Sequence, residues 1–403
     1  MHDVEWRHVP AGPDADLWAT RPRCRTVLVV VHTVTSGQRL LEVVRLIGTD
    51  PRVQVVFTSA PDVFGAGVND FLRATGGVVV PWLQATQTGF DLALAAGYGS
   101  ISQLHSPLIV LPHGAGYGKR PAARADRSVT ARSPYGLDPQ RLMRDGRVIP
   151  AAIVLPHAAD LTRLTQTCPG AADVATVIGD PCYDVLMASA CRRSSYREQL
   201  AVGPERRLVV VTSTWGPSSL FGAGQQLLRK LLDELPSDEF GVVTLIHPNV
   251  WCAHGQWQVQ AWLEDCRARG LGVVPPEADW RGVMIAADWI LADHGSLGVY
   301  GTAVNVPLMV STPASPDLDP SSAHAVLAAA APSLRPNQRL LPQLRRAAAA
   351  YRPASYAQVA ARISSEPGRF AQNMRQLMYR LLRLRPPREP PCTPIARPPF
   401  LIP

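Results

Sequence analysis

Two patterns of apolar residues alternate along this chain. Residues 26–31 form an unbroken run rich in β-branched side chains. Residues 38–47 then repeat apolar side chains at the period of a helix (Leu40, Leu41, Val43, Val44, Leu46). A strand at 53–57 and a helix at 68–74 follow, then short apolar strands at 77–81, 90–95, 107–111, 148–155 and 174–178. Continuous runs bounded by glycine and proline, with helices between them, predict a parallel sheet covered on both faces. A second series starts near Arg207, with strands at 208–212, 242–246, 272–274, 289–292 and 307–310 and helices at 224–235 and 256–269. The pattern therefore predicts an α/β chain of two Rossmann-like, doubly wound domains facing each other across a cleft. The expected divisions are 1–185, 186–365 and a C-terminal segment 366–403.

That last segment differs in kind. Phe370, Met374, Leu377, Met378, Leu381 and Leu384 share one face of a helix that also carries Arg375, Arg380 and Arg383, and a proline-rich, extended tail follows over 385–403. A basic amphipathic helix can lie on a membrane surface, which leaves peripheral membrane contact open. More often such a helix covers the core of its own domain.

Composition narrows the functional classes. A chain of 403 residues suits two domains, and 46% hydrophobic with 18% charged residues describes a folded protein rather than a disordered one. No apolar run approaches the ~20 residues of a membrane span, and the start lacks the order of a secretory signal, so a cytoplasmic protein is expected. The seven cysteines include no Cys-x-x-Cys pair, which argues for reduced thiols and against a zinc site. The net charge of +8 is carried almost wholly by arginine, since Lys119 and Lys230 are the only lysines. Those arginines are scattered without an aromatic-basic motif, so no nucleic-acid partner is expected, although the surplus charge would steer a phosphate-bearing ligand.

Ligands of open α/β sheets bind beyond the carboxyl ends of the strands, so the loops there hold the candidate chemistry. His32 opens the first loop, in which Gly37 permits a tight turn and Ser36 can cap the next helix; the loop reads either as an anion site or as an ordinary capped turn. The second runs His113-Gly114-Ala115-Gly116-Tyr117-Gly118-Lys119-Arg120. Its glycines can bring backbone N–H groups to an oxyanion, and His113 can accept a proton near neutral pH. Gly179-Asp180-Pro181, with Asp184 behind it, reads as a hinge that starts a helix. Thr214-Trp215-Gly216 and His247-Pro248 follow strands of the second half and offer hydroxyl and imidazole groups to a phosphate or ribose. Asp293-His294-Gly295-Ser296-Leu297 has the composition of a pyrophosphate cradle, with Gly295 and Gly298 admitting phosphates to the backbone. The candidate catalytic groups are thus His113, His32 and His294. The candidate binding groups are Gly114, Gly116, Lys119, Thr214, Trp215, Gly216, His247, Pro248, Asp293, Gly295, Ser296 and Leu297. No dedicated metal site or cofactor is implied, though Asp293 can assist a phosphate-bound Mg²⁺.

On these motifs the chain resembles GT-B-fold enzymes, most of all the CDP-glycerol glycerophosphotransferase (teichoic-acid polymerase) group. The resemblance rests on His113-Gly114 followed by Lys119, on Gly179, Pro181 and Asp184, on His247-Pro248, and on Asp293 to Ser296. It implies that His113 is the acceptor-side base and that His247, His294 and Ser296 contact donor phosphates. The loop around Gly116 is richer in glycine than the group's own, and His294-Gly295 replaces other residues there. The turn at 179–186 and the segment 295–310 are also similar to UDP-N-acetylglucosamine 2-epimerases. The expected partners are a nucleotide-diphosphate donor, bound as substrate, and a hydroxyl acceptor. The alternatives are a nucleotide-sugar epimerase of the same fold and a non-catalytic nucleotide- or nucleic-acid-binding protein.

Overall fold

The computed structural model describes residues 6–12, 14–120, 133–311 and 318–403. The chain divides into two compact units, one of Met1–Tyr117, Ser133–Pro181 and Gly368–Cys392, the other of Gly118–Arg132, Cys182–Pro367 and Thr393–Pro403. The 366–403 segment is therefore not a body of its own. Its helix belongs to the first unit and its last residues to the second.

The first unit carries seven parallel strands: β1 (Arg25–Val31), β2 (Val53–Ser59), β3 (Val78–Val79), β4 (Leu92–Ala95), β5 (Leu108–Val110), β6 (Ala152–Leu155) and β7 (Ala175–Val177). Their order is β3-β2-β1-β4-β5-β6-β7, the doubly wound arrangement, in which the winding reverses between β1 and β4. Strand β1 is buried from Val27 to Val31. Val27, Val29 and Val31 point to one core cluster, Leu28 and Val30 to another, which is why its sequence shows no polar alternation. Helix Phe370–Leu382 packs Met374, Leu377 and Met378 into the first of these clusters. Most of its apolar face is thus internal.

The second unit carries five parallel strands: β8 (Arg207–Ser213), β9 (Phe240–Ile246), β10 (Leu271–Val274), β11 (Trp289–Ala292) and β12 (Leu308–Val310). Their order is β10-β9-β8-β11-β12, so the reversal falls between β8 and β11. Among the described residues no helix is long and apolar enough to cross a membrane.

Two local readings are corrected. The helix after β1 is Val34–Val44, with Thr33 as its N-cap: Thr33 Oγ1 accepts from the Ser36 amide while Ser36 Oγ accepts from that of Thr33. Ser36 is thus the returning half of a capping box rather than the cap. Gly37 lies inside the helix rather than in a turn, and its lack of a side chain has a packing reason: a Cβ there would sit 2.3 Å from the Phe71 ring. The tail after Thr393 has no regular structure, yet it is docked on the second unit: Ile402 N donates to Val273 O of the edge strand β10 at 2.9 Å, and the Tyr196 hydroxyl to Ala396 O at 2.8 Å.

Candidate functional site

In the second unit the chemistry gathers at the reversal between β8 and β11. Thr212 of β8 pairs with Ala292 of β11, so the residues just beyond each strand, Thr214 and Asp293, emerge side by side. Asp293 is 3% exposed, and its Oδ2 accepts from the amides of Thr214 (2.8 Å) and Leu220 (3.1 Å), its Oδ1 from that of Gly295 (3.1 Å). Three of the roughly four acceptor positions of a carboxylate are thereby filled. Asp293 is consequently a tie between two loops, which leaves little of it for a phosphate-bound cation.

The glycines nearby have packing reasons. A Cβ on Gly295 would stand 3.2 Å from Asp293 Oδ1 and 3.3 Å from Thr214 Cβ, and one on Gly298 would stand 3.1 Å from Ala292 Cβ. At both positions the missing side chain leaves room for close protein neighbours. Gly216 does need its freedom of backbone, with φ at +93°. Trp215 beside it stays 40% exposed, whereas Thr214 is buried. The helix that Ser296 opens is only Ser296–Gly301, with Leu297 half-buried in its first turn. His247 Nδ1 accepts from the Asn249 amide at 3.1 Å and caps helix Pro248–His254. That bond fixes the ring proton on Nε2 and makes His247 a donor toward anything it meets.

Lys119 is the unexpected member. The sequence places it at the end of the first half's glycine loop, but Gly118–Arg120 belongs to the second unit. Lys119 bridges antiparallel to Leu318, Asp319 N donates to Gly118 O at 3.0 Å, and Gly118 lies so close to His324 that a Cβ would approach its Nδ1 to 2.4 Å. The ammonium feels the Asp293 carboxylate, which raises its pKa against the larger, lowering effect of desolvation. His294 lies below the ordinary histidine range because of burial first, then Lys119, with Asp293 opposing. Burial and the neighbouring Lys119 thus both favour the neutral form of His294. Asp319 and His324 went unread in the sequence because a single Asp or His near a helix start carries no pattern.

In the first unit His32 and His113 part company. His32 is 1% exposed, its Nε2 donates to Gly99 O at 2.7 Å, and Gly97 and Gly99 wall the ring so closely that a Cβ on Gly97 would reach 2.8 Å from Nδ1. Desolvation by burial lowers its pKa. The ring fills the reversal point between β1 and β4 and holds Gly99. His113 is exposed beyond β5, and its Nδ1 donates to Ala96 O at 3.1 Å, which leaves the Nε2 lone pair as the basic one. Behind it the buried pair Arg39–Asp180 (3.6 Å) brings Arg39 Nη2 to 3.5 Å from Gly114 O. Gly116 takes φ +70°, and Tyr117 then anchors the loop through its hydroxyl on Val154 O at 3.0 Å. Gly179, with φ +104°, forms the expected turn, and Pro181 starts helix Pro181–Ser189 at the boundary between the units.

No protein-family model and no curated protein matches this sequence. Solved structures do resemble it. A variant of the wall teichoic acid polymerase TagF soaked with CDPG aligns at TM-score 0.58 and 11% identity, over 89% of each chain. A second TagF variant aligns at 0.56 and 10%, again over 89% of each chain. At such identities the likeness is one of fold: the chain is built from two Rossmann-like units as GT-B enzymes are.

Proposed function

We propose that this protein is a transferase that moves a glycosyl or glycerophosphoryl-type group from a nucleotide-diphosphate donor to a hydroxyl acceptor. The observation that carries the reading is the gathering of the Thr214 loop and the Asp293–Ser296 turn at the β8/β11 reversal, where doubly wound sheets hold their ligands, with Lys119 close enough for its charge to act on His294. There Lys119 and the donor N–H of His247 meet the diphosphate, and the charge of the lysine with the hydrogen bond of the histidine stabilises the leaving phosphate as the bond to it breaks. In the first unit His113 takes the proton of the acceptor hydroxyl on Nε2, the bond from Nδ1 to Ala96 O holding the ring in that tautomer. The proton moves to the imidazole, the hydroxyl oxygen forms the new bond, and the nucleotide departs with the electron pair. Cytoplasmic action fits seven free cysteines and a nucleotide-activated donor.

The likeness to a TagF structure soaked with CDPG supports putting a cytidine nucleotide first among the ligands tried. In a thermal-shift series with CDP, UDP, GDP and dTDP, one nucleotide should raise the melting temperature. Lys119→Ala and Ser296→Ala should shrink that rise, whereas His113→Ala should abolish turnover and leave the rise in place. No response to any of the four, or equal loss of binding in all three variants, would defeat the proposal.

A further inference from the structure

We infer that Asp293 is a positioning residue of the donor site: it touches no part of the donor and instead locks the loop after β8 to the turn after β11. The inference rests on the proposed donor site for its functional meaning, and on three hydrogen bonds for its geometry. Thr214 N and Leu220 N reach Oδ2 at 2.8 and 3.1 Å, and Gly295 N reaches Oδ1 at 3.1 Å. The three amides come from segments about 75 to 80 residues apart, and two of them flank the span that carries Trp215 and Gly216. That span is otherwise tied mostly to itself, through Ser219 Oγ on Gly216 O at 2.7 Å and Phe221 N on Ser213 Oγ at 2.9 Å. The missing Cβ of Gly295 is what allows the carboxylate and Thr214 to close on it.

An acidic side chain beside a phosphate site would ordinarily repel the ligand. Here its charge is already engaged by backbone dipoles, and it acts outward only by favouring the protonated forms of Lys119 and His294. The same residue thus sets the shape of the loop and sustains the cation that the shape presents.

The test is Asp293→Asn, which keeps the volume but sets an amide N–H₂ against at least one of the three backbone N–H groups. In wild type, hydrogen exchange at the amides of Thr214, Leu220 and Gly295 should be slow. In the variant it should accelerate by about tenfold or more at those three positions, the size expected for one lost charge-assisted bond. Exchange within β8 itself should change less. Affinity for whichever of CDP, UDP, GDP or dTDP wild type binds should fall about tenfold, by the same factor with Mg²⁺ and with EDTA. Wild-type amides that exchange as freely as an open loop would overturn the inference. So would a folded variant of unchanged affinity, or an affinity loss seen only with Mg²⁺, the sign of a metal ligand. If wild type binds no nucleotide, the proposed function fails while the exchange result still decides the geometry.

Discussion

His32 shows how a residue's position can be legible in sequence while its surroundings are not. The sequence locates it beyond a buried strand, where ligands bind, but cannot show that Gly97 and Gly99 let the chain close over it. Burial makes an acid liability of the ring. Its pKa is lowered in the fold, so the folded state resists a proton that the unfolded state accepts near the ordinary histidine value of about 6.5. Stability is therefore full above that value and declines as pH falls below it; Asp62, which raises the pKa, moderates the decline. Urea midpoints should drop between about pH 7.5 and pH 5.5, and drop less in His32→Gln, which loses the group that titrates. An equal drop in the variant would assign the acid sensitivity elsewhere, His294 being the next candidate. Gly37 makes the matching steric prediction. Alanine improves helix propensity by up to about 1 kcal/mol, yet its Cβ would meet the Phe71 ring 2.3 Å away, and overpacking costs about 1–3 kcal/mol. Gly37→Ala should thus destabilise on balance, as read by chemical denaturation. Glycine in a sequence announces that a side chain is missing, not what occupies its place.

At the scale of elements, strands and their order of appearance were legible because a sheet buried on both faces writes itself as unbroken apolar runs. Trp289–Ala292 agrees to the residue, and the other strands of the second unit differ by one or two residues at an end. The helix after β1 starts four residues before the predicted 38, since a capping box of Thr33 and Ser36 looks like a loop in sequence. What the sequence could not supply was the docking partner of a helix. Helix Phe370–Leu382 has an evident apolar face, but its destination depends on the Tyr379 hydroxyl, which donates to Asp50 Oδ2 at 2.6 Å across 329 positions of sequence. Arg52 holds the same carboxylate through Nε at 3.0 Å and Nη2 at 2.7 Å, and keeps it well below the usual carboxylate range. Burial together with that carboxylate pushes the tyrosine up to about 12. Tyr379→Phe should cost about 1.5–3 kcal/mol, the range for a bond to a charged acceptor, in the unfolding of the first unit. A loss below about 0.5 kcal/mol would mean that apolar packing alone seats the helix.

At the scale of the whole molecule, the covalent order of the chain and the composition of its units diverge. Two doubly wound units were predictable from two series of strands, and the reversal points that hold the candidate residues follow from strand order. Membership was not predictable. Lys119, three residues beyond Gly116, belongs with Asp293 and His294, because backbone pairing with Leu318 and Asp319 competes for the loop's end, and no periodicity records such a bridge. The C-terminal segment divides likewise, and its division predicts two separable effects of truncation. Ending the chain after Cys392 removes the bonds of Ala396 with Ser189 and Tyr196, of Arg397 with Asp279, and of Ile402 with Val273. It also bares β10 as an unprotected edge. At about 1 kcal/mol a bond and roughly 2–4 °C per kcal/mol, the second unit should melt at least about 5 °C lower while the first keeps its transition. Ending the chain after Pro367 further strips Met374, Leu377 and Met378 from the first unit's core, where a single Met→Ala change already costs about 2–5 kcal/mol. Both calorimetric transitions should then fall, the first beyond recovery of a cooperative peak. A shorter truncation that lowered both transitions equally would contradict the division, since Thr393–Pro403 has its hydrogen bonds in the second unit.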